Sequence, residues 1–234
     1  MAKGNFKNLV LYLFFVFQLP LFSYGNIGDK IVFFAKRFLG IPYDVDPLGI
    51  YVRKKVIVYD ERVDCMYLIF RSVELAFSDG NDRVALDIAL DKRFISRGMV
   101  SNSMVVNYET RFEYGEDMIL SGKWGKPLIT NENILEKVFS RRLNRNIFFV
   151  PKSKYDCIEQ FIKNGSIIFF IKNPKYSKKN EVVGHMGILE KVSNDVFLIH
   201  AKGTKNVGGK VVRENMKDYL ESTKYIGFVI TYFE

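Results

Sequence analysis

Two histidines, two cysteines and one tryptophan are all that 234 residues hold of those types, and each scarcity closes off a class of protein. Two cysteines are too few for the disulfide framework of a small secreted scaffold. Cys65 and Cys157 lie far from His185 and His200 in the chain, without the short ligand spacings of a structural zinc site, so neither metal nor cofactor is expected. Arginine-rich tracts and aromatic–basic motifs are missing too, and the net charge of +9 therefore does not read as a nucleic-acid surface. Internal repeats and low-complexity linkers are absent. The apolar run Leu9–Phe22 falls short of the about 20 residues that span a bilayer.

That run is flanked as an export signal is. Lys3 and Lys7 precede it, and Ser23, Tyr24 and Gly25 follow with small residues where a signal peptidase would cut. Residues 1–25 are read as a secretory signal peptide, with an uncleaved anchor as the alternative. No cysteine follows the run, which argues against lipoprotein processing. The mature chain, 26–234, is expected as one domain in the periplasm or outside the cell, with no stable membrane insertion. Loss of Lys3 and Lys7 takes its charge from +9 to +7, which draws it to anionic envelope polymers.

Along the mature chain, residues 29–39 repeat apolar positions at helical spacing with Asp29 as a candidate cap. Residues 43–49 read as a loop and 52–60 as an edge strand. A helix starts at Cys65 behind Asp64, with Leu68, Ile69, Ser72, Leu75 and Ala76 on one face. Residues 80–150 read as a helical and loop-like insertion, with Trp124 in a glycine-flanked turn. Beyond Gly165 the period changes to two. Three strands are expected around residues 166–173, 185–192 and 196–203, the last two forming a hairpin. A short helix follows at 212–220, and a final strand, 226–233, closes the sheet. Helices first and an antiparallel sheet later give the α+β class.

Cys65 at a helix start would sit where partial positive charge and unpaired N–H groups favour a thiolate and a developing oxyanion. Asp64 opposes the thiolate, so a nearby imidazolium has to outweigh it. His185 and His200 fall on paired strands, within a few residues' rise of each other. One of them within about 4 Å of the thiol would be its base, and the group that orients a base can be Asp, Asn or a neutral His. The competing use of the two cysteines is a Cys65–Cys157 disulfide in a non-catalytic envelope-binding protein. Cys157 otherwise reads as a small buried residue on a helix.

The order of these segments, VDC before an apolar helix, then SIIFF, GHMGI and LIHA, resembles the NlpC-type cysteine peptidase superfamily of papain-like folds. LGIPYDVDPLG and YETRFEYGEDMI narrow the resemblance to its N-acetylmuramoyl-L-alanine amidase-like branch, from about Phe38 to Phe233. The resemblance implies a papain-like core, Cys65 as nucleophile, His185 as base and His200 as the third member. It implies Tyr43 beside the nucleophile, Asp64 as a substrate contact or helix cap, and Arg111 and Tyr114 as cleft residues. The substrate it implies is peptidoglycan or a muropeptide, with a same-fold acyltransferase or lipid-amide hydrolase as the alternative. Met66 and Tyr67 replace the small hydroxyl residues usual after the nucleophile, and Gly184 replaces a frequent serine.

Overall fold

The computed structural model describes residues 25–129, 131–176 and 181–234; the expected signal segment, apart from Gly25, lies outside the described residues. Helix α1 (Ile27–Lys36) buries Ile31, Val32, Phe34 and Ala35. Its cap is Asn26, whose side chain accepts from the Asp29 N–H at 3.0 Å; Asp29 stands in the first turn instead. The expected edge strand at 52–60 is replaced by helix α2 (Ile50–Lys54) and a loop. Asp44 dictates this: one carboxylate oxygen accepts from the Ile50 N–H at 2.7 Å and the other from Asp46 at 3.0 Å. A local side-chain acceptor that satisfies a helix start outweighs the alternation of Val and Ile with Lys.

Helix α3 (Cys65–Phe77) forms as expected. Asp64 caps it by accepting from the Tyr67 N–H at 2.8 Å, and Leu68, Ile69, Ser72, Leu75 and Ala76 are all buried. Next come α4 (Asp82–Lys92), a small hairpin of β1 (Val100–Ser101) and β2 (Met104–Val105), and α5 (Gly115–Ser121). Then the insertion ceases to be helical. Strands β3 (Lys126–Pro127), β4 (Glu136–Ser140) and β5 (Arg145–Pro151) join the sheet. The β4–β5 hairpin escapes a period-two reading because Phe139 and Phe148 are exposed while Ser140 is buried. Its turn carries no glycine or proline; Asn144 supplies the left-handed residue at φ 50°.

After α6 (Tyr155–Ile158) the expected strands appear as β6 (Ser166–Ile171), β7 (Val183–Val192) and β8 (Asp195–Thr204). The segment read as a helix from 212 begins as strand β9 (Gly208–Asn215), and only then turns into α7 (Met216–Ser222). The helix start lies at Asn215, whose side chain accepts from Lys217 at 2.9 Å. Strand β10 (Gly227–Tyr232) does not close the sheet; it runs between β5 and β6.

The fold is α+β, with seven α-helices among the described residues and an antiparallel sheet in the order β4-β5-β10-β6-β7-β8-β9, β3 pairing with β10. Both sheet faces are covered. Ile167, Phe169, Ile188 and Ile199 belong to the core that α1 and α3 complete, while Ile168, Phe170, Leu198 and Phe228 pack with Ile158, Met216 and Leu220 of α6 and α7. Burial on both faces explains why β6 is an unbroken apolar run. Each such side chain contributes about 1.5–3 kcal/mol.

Candidate active site

Cys65 is the first residue of α3, and the loop that delivers it is pinned by pairing of Tyr43 with Val63. The helix start opens on a cavity of about 420 Å³ whose walls include Cys65, His185, Tyr43, Asp64, Arg111 and Tyr114. Six of the seven residues singled out in the sequence therefore meet at one place. The seventh, His200, stands behind His185.

Strand β7 brings His185 there by an irregularity. Pairing with β6 sets Phe170 opposite His185 but Ile171 opposite Val183, so Gly184 is an extra residue. Such a bulge bends a strand end and re-aims its side chains. A Cβ on Gly184 would come 2.5 Å from Lys172 Cε and 2.7 Å from Tyr225 Cε1, which accounts for glycine where the resemblance leads one to expect serine. Glu116 anchors the same strand end: buried on α5, it accepts from the N–H groups of Val182 and Val183 at 3.2 and 3.3 Å.

Strand β8 pairs with β7 up to Ile199 opposite Ile188, and the next residue, His200, lies close against Gly187. Nε2 of His185 and Nδ1 of His200 are 2.6 Å apart. Nε2 of His200 in turn lies 2.7 Å from Oε1 of Glu214 on β9, and Lys202 donates to the other carboxylate oxygen at 2.8 Å. His200 is 1% exposed. Phe170 and Tyr225 stack on the His185 ring, and Tyr219 meets His200 edge-on at 5.0 Å.

Burial and the neighbouring His200 push His185 down to about 3. Burial, then the adjacent Asp64, pushes the Cys65 thiol up to about 12, against the Met186 backbone N–H that donates to the sulfur. The resting pair is thus a neutral thiol beside a neutral imidazole, where the sequence led one to expect an imidazolium holding a thiolate. Desolvation is the chief reason, since both groups are half-buried in the cavity wall and a charge on either would lose much of its hydration. Among the described residues no hydrogen bond joins the sulfur to either imidazole; they meet as walls of one cavity.

The other expected residues differ in how committed they are. Asp64 caps α3 with one oxygen and accepts from Lys205 at 3.2 Å with the other. Burial holds the Tyr43 hydroxyl protonated well above its ordinary range, which keeps it a hydrogen-bond donor. Arg111 pairs with Glu113 at 2.8 Å and donates to the Tyr108 carbonyl at 3.2 Å, and Tyr114 lies under the Arg142 guanidinium at 4.3 Å. Glu214, Lys205, Tyr219 and Tyr225 were missed in the sequence. Only Glu214 carried a signal, as a carboxylate beyond a Gly-Gly pair, and it was hidden when its segment was read as helix. Both cysteines are free and Cys157 is exposed, so the disulfide and buried-residue readings are both corrected. Among the described residues no three His, Cys, Asp or Glu side chains form a metal-binding group, and no helix is long and apolar enough to cross a membrane.

No family model matches the chain, and no curated protein matches it. Among solved structures it is similar to an N-acetylmuramoyl-L-alanine amidase of Bacteroides uniformis. The likeness covers 89% of this chain and 99% of that one, with 18% identity and a TM-score of 0.69. It is similar as well to a Legionella pneumophila protein of family DUF1460, over 87% of this chain and 88% of that one, with 16% identity and a TM-score of 0.63. At these identities the likeness is one of fold.

Proposed function

We propose that the chain is an exported cysteine amidase with a papain-like core, acting on an amide bond of peptidoglycan. The observation that carries the reading is one cavity that holds a helix-start cysteine and a histidine hydrogen-bonded at 2.6 Å to a second histidine. Fold likeness to a protein named for cleaving the N-acetylmuramoyl-L-alanine bond supports that bond as the target, before a bond within the stem peptide. Charged walls, Asp64, Arg111 and Lys205 among them, fit a polar muropeptide better than an acyl chain.

With both partners neutral at rest, the proton moves as the sulfur attacks. His185 takes it from Cys65 while Sγ bonds to the amide carbon, and the carbonyl oxygen gains negative charge near the free N–H groups of the α3 start. Tyr43, protonated beside the nucleophile, is a second donor for that oxygen. The C–N bond then breaks, His185 returns the proton to the leaving amine, and a thioester remains. Water, deprotonated by the same imidazole, releases the acid and restores the thiol.

Digestion of sacculi and soluble muropeptides, followed by mass spectrometry, tests the reading. The expected products are free stem peptides, at a rate unchanged by chelator and abolished by a thiol alkylator. Turnover of acyl-lipid amides or esters with peptidoglycan left intact would overturn the substrate and keep the nucleophile. Fractionation of the native host tests export, which requires the mature chain outside the cytoplasm.

A further inference from the structure

We infer that Glu214 is a positioning residue that dictates which nitrogen of each imidazole carries a proton, and so leaves Nδ1 of His185 bare to act as the base. The inference rests on the amidase reading for its purpose and on geometry alone for its substance. A histidine as the third member of such a constellation is ambivalent, because a neutral imidazole is a donor at one nitrogen and an acceptor at the other. If His200 carried its proton on Nδ1, then Nε2 of His185 would have to accept it. The proton of His185 would then sit on Nδ1, and the ring could not take one from a thiol there.

Glu214 removes the ambiguity. An ionised carboxylate only accepts, so at 2.7 Å the Nε2 of His200 must donate to it. The Nδ1 of His200 is then a lone pair, and at 2.6 Å it must accept from Nε2 of His185. Nδ1 of His185 is left without a proton. Ionisation of Glu214 is secured by Lys202 at 2.8 Å on its other oxygen. Against burial, the hydrogen bonds from Lys202 and His200 hold it below the usual carboxylate range. His200 is 1% exposed, so Glu214 is what meets its Nε2 in the folded protein, and the neighbours from α7 and the loop beyond it, Tyr219 and Tyr225, present aromatic faces and edges to the ring pair. The residues climb across three strands: the β7–β8 pairing reaches Ile188 opposite Ile199, just before His200, and His200 pairs with Val212, two residues before Glu214, on β9.

The chain's two histidines make the test direct. Long-range 1H–15N spectra of the full chain at neutral pH should show both imidazoles protonated on Nε2. Glu214→Ala should mix the tautomers, slow alkylation of Cys65 in a Cys157→Ser background about 10-fold or more, and lower kcat on muropeptide with KM unchanged. Glu214→Gln combined with Lys202→Ala, which restores a neutral acceptor, should recover the Nε2 protonation and most of the rate. A native spectrum with His200 protonated on Nδ1 overturns the inference. So does a folded Glu214→Ala protein with unchanged tautomers and unchanged thiol reactivity. Spectra and alkylation need no substrate, so failure to cleave peptidoglycan would sink the amidase reading and leave this one standing.

Discussion

Two polar clusters share helix α3, one along its body and one at the cavity where it starts, and they solve burial in opposite ways. Along the body Arg93 binds Glu74 through two contacts of 2.6 and 2.7 Å, and Arg71 binds Asp60 through two of 2.9 and 3.0 Å. Full charges are kept and cancelled in bidentate pairs. At the cavity Cys65, His185 and His200 are held neutral instead, between two carboxylates that each carry a lysine, Asp64 with Lys205 beside the thiol and Glu214 with Lys202 beyond His200. The first arrangement fixes a structure, because no charge in it is free to change. The second keeps a proton that can move without any group leaving its place. Each is legible from its own failure when one member is removed.

The largest effect is expected at the mobile proton. Cys65→Ala should lower peptidoglycan cleavage by at least about 10⁴-fold, since groups acting as one unit lose nearly everything together. His185→Gln should do the same, while both proteins melt close to the parent. A cleavage rate within 10-fold of the parent for either variant refutes the reading of this cluster as a catalytic one.

Next is the fixed pair. Arg93→Met leaves Glu74, which is fully buried, with only the 3.7 Å contact to Arg71 in place of its two short hydrogen bonds and should cost about 3 kcal/mol in urea unfolding. Glu74→Leu added to it should return most of that loss, because an apolar pair replaces an ion pair at little net cost. If the double variant is as unstable as the single one, cancellation of charge is not what Arg93 provides.

pH separates the clusters further. The folded His185 is lowered to about 3 while an unfolded histidine titrates near 6.5. Between those values the unfolded chain binds a proton that the folded chain refuses, so stability is present above 6.5 and falls with falling pH by about 1.4 kcal/mol per unit. The thiol gives the mirror image: raised to about 12, it makes stability fall as pH rises above its ordinary range. Urea midpoints at several pH values between 7 and 4, set against those of His185→Gln, isolate the first slope from that of the carboxylates. Parallel curves for the two proteins would show that His185 is not held neutral.

A smaller effect is expected where the strand bends. Gly184→Ser puts a Cβ within 2.5 Å of Lys172 Cε; a flexible lysine can yield, but the Tyr225 ring stacked on His185 cannot move without disturbing it. About 1 kcal/mol of stability and a several-fold fall in kcat are expected. An unchanged kcat would mean that the bulge, not the missing side chain, is all that matters there.

These residues also show what a sequence reveals. Cys65, Asp64 and the helix they open were legible because cap, nucleophile and apolar face are local. His185 and His200 were legible because they are rare and fall on neighbouring strands. Glu214 was not, because β9 buries only Val211 and its polar residues give no period, so the segment from 212 reads as the helix that in fact starts after Asn215. The β4–β5 hairpin was lost to its exposed Phe139 and Phe148, and the central place of β10 is a matter of long-range pairing that no local pattern encodes. Resting charge states were misjudged for a similar reason: burial is a property of the assembled fold.

The smallest effect belongs to the second cysteine. Cys157 is exposed on α6, and α6 packs on the sheet through Tyr155 and Ile158 instead. Nothing in either polar cluster reaches it. Cys157→Ser should leave stability within about 0.5 kcal/mol of the parent, as for surface substitutions generally, and should leave peptidoglycan cleavage unchanged. One thiol should disappear from a titration of the folded protein with a thiol reagent, and it should be the faster of the two, because Cys65 is only partly exposed and is held protonated. Were Cys65 the faster thiol at neutral pH, the neutral resting pair would be wrong and the imidazolium–thiolate expectation restored. The contrast drawn between the two clusters would then fail at the site itself.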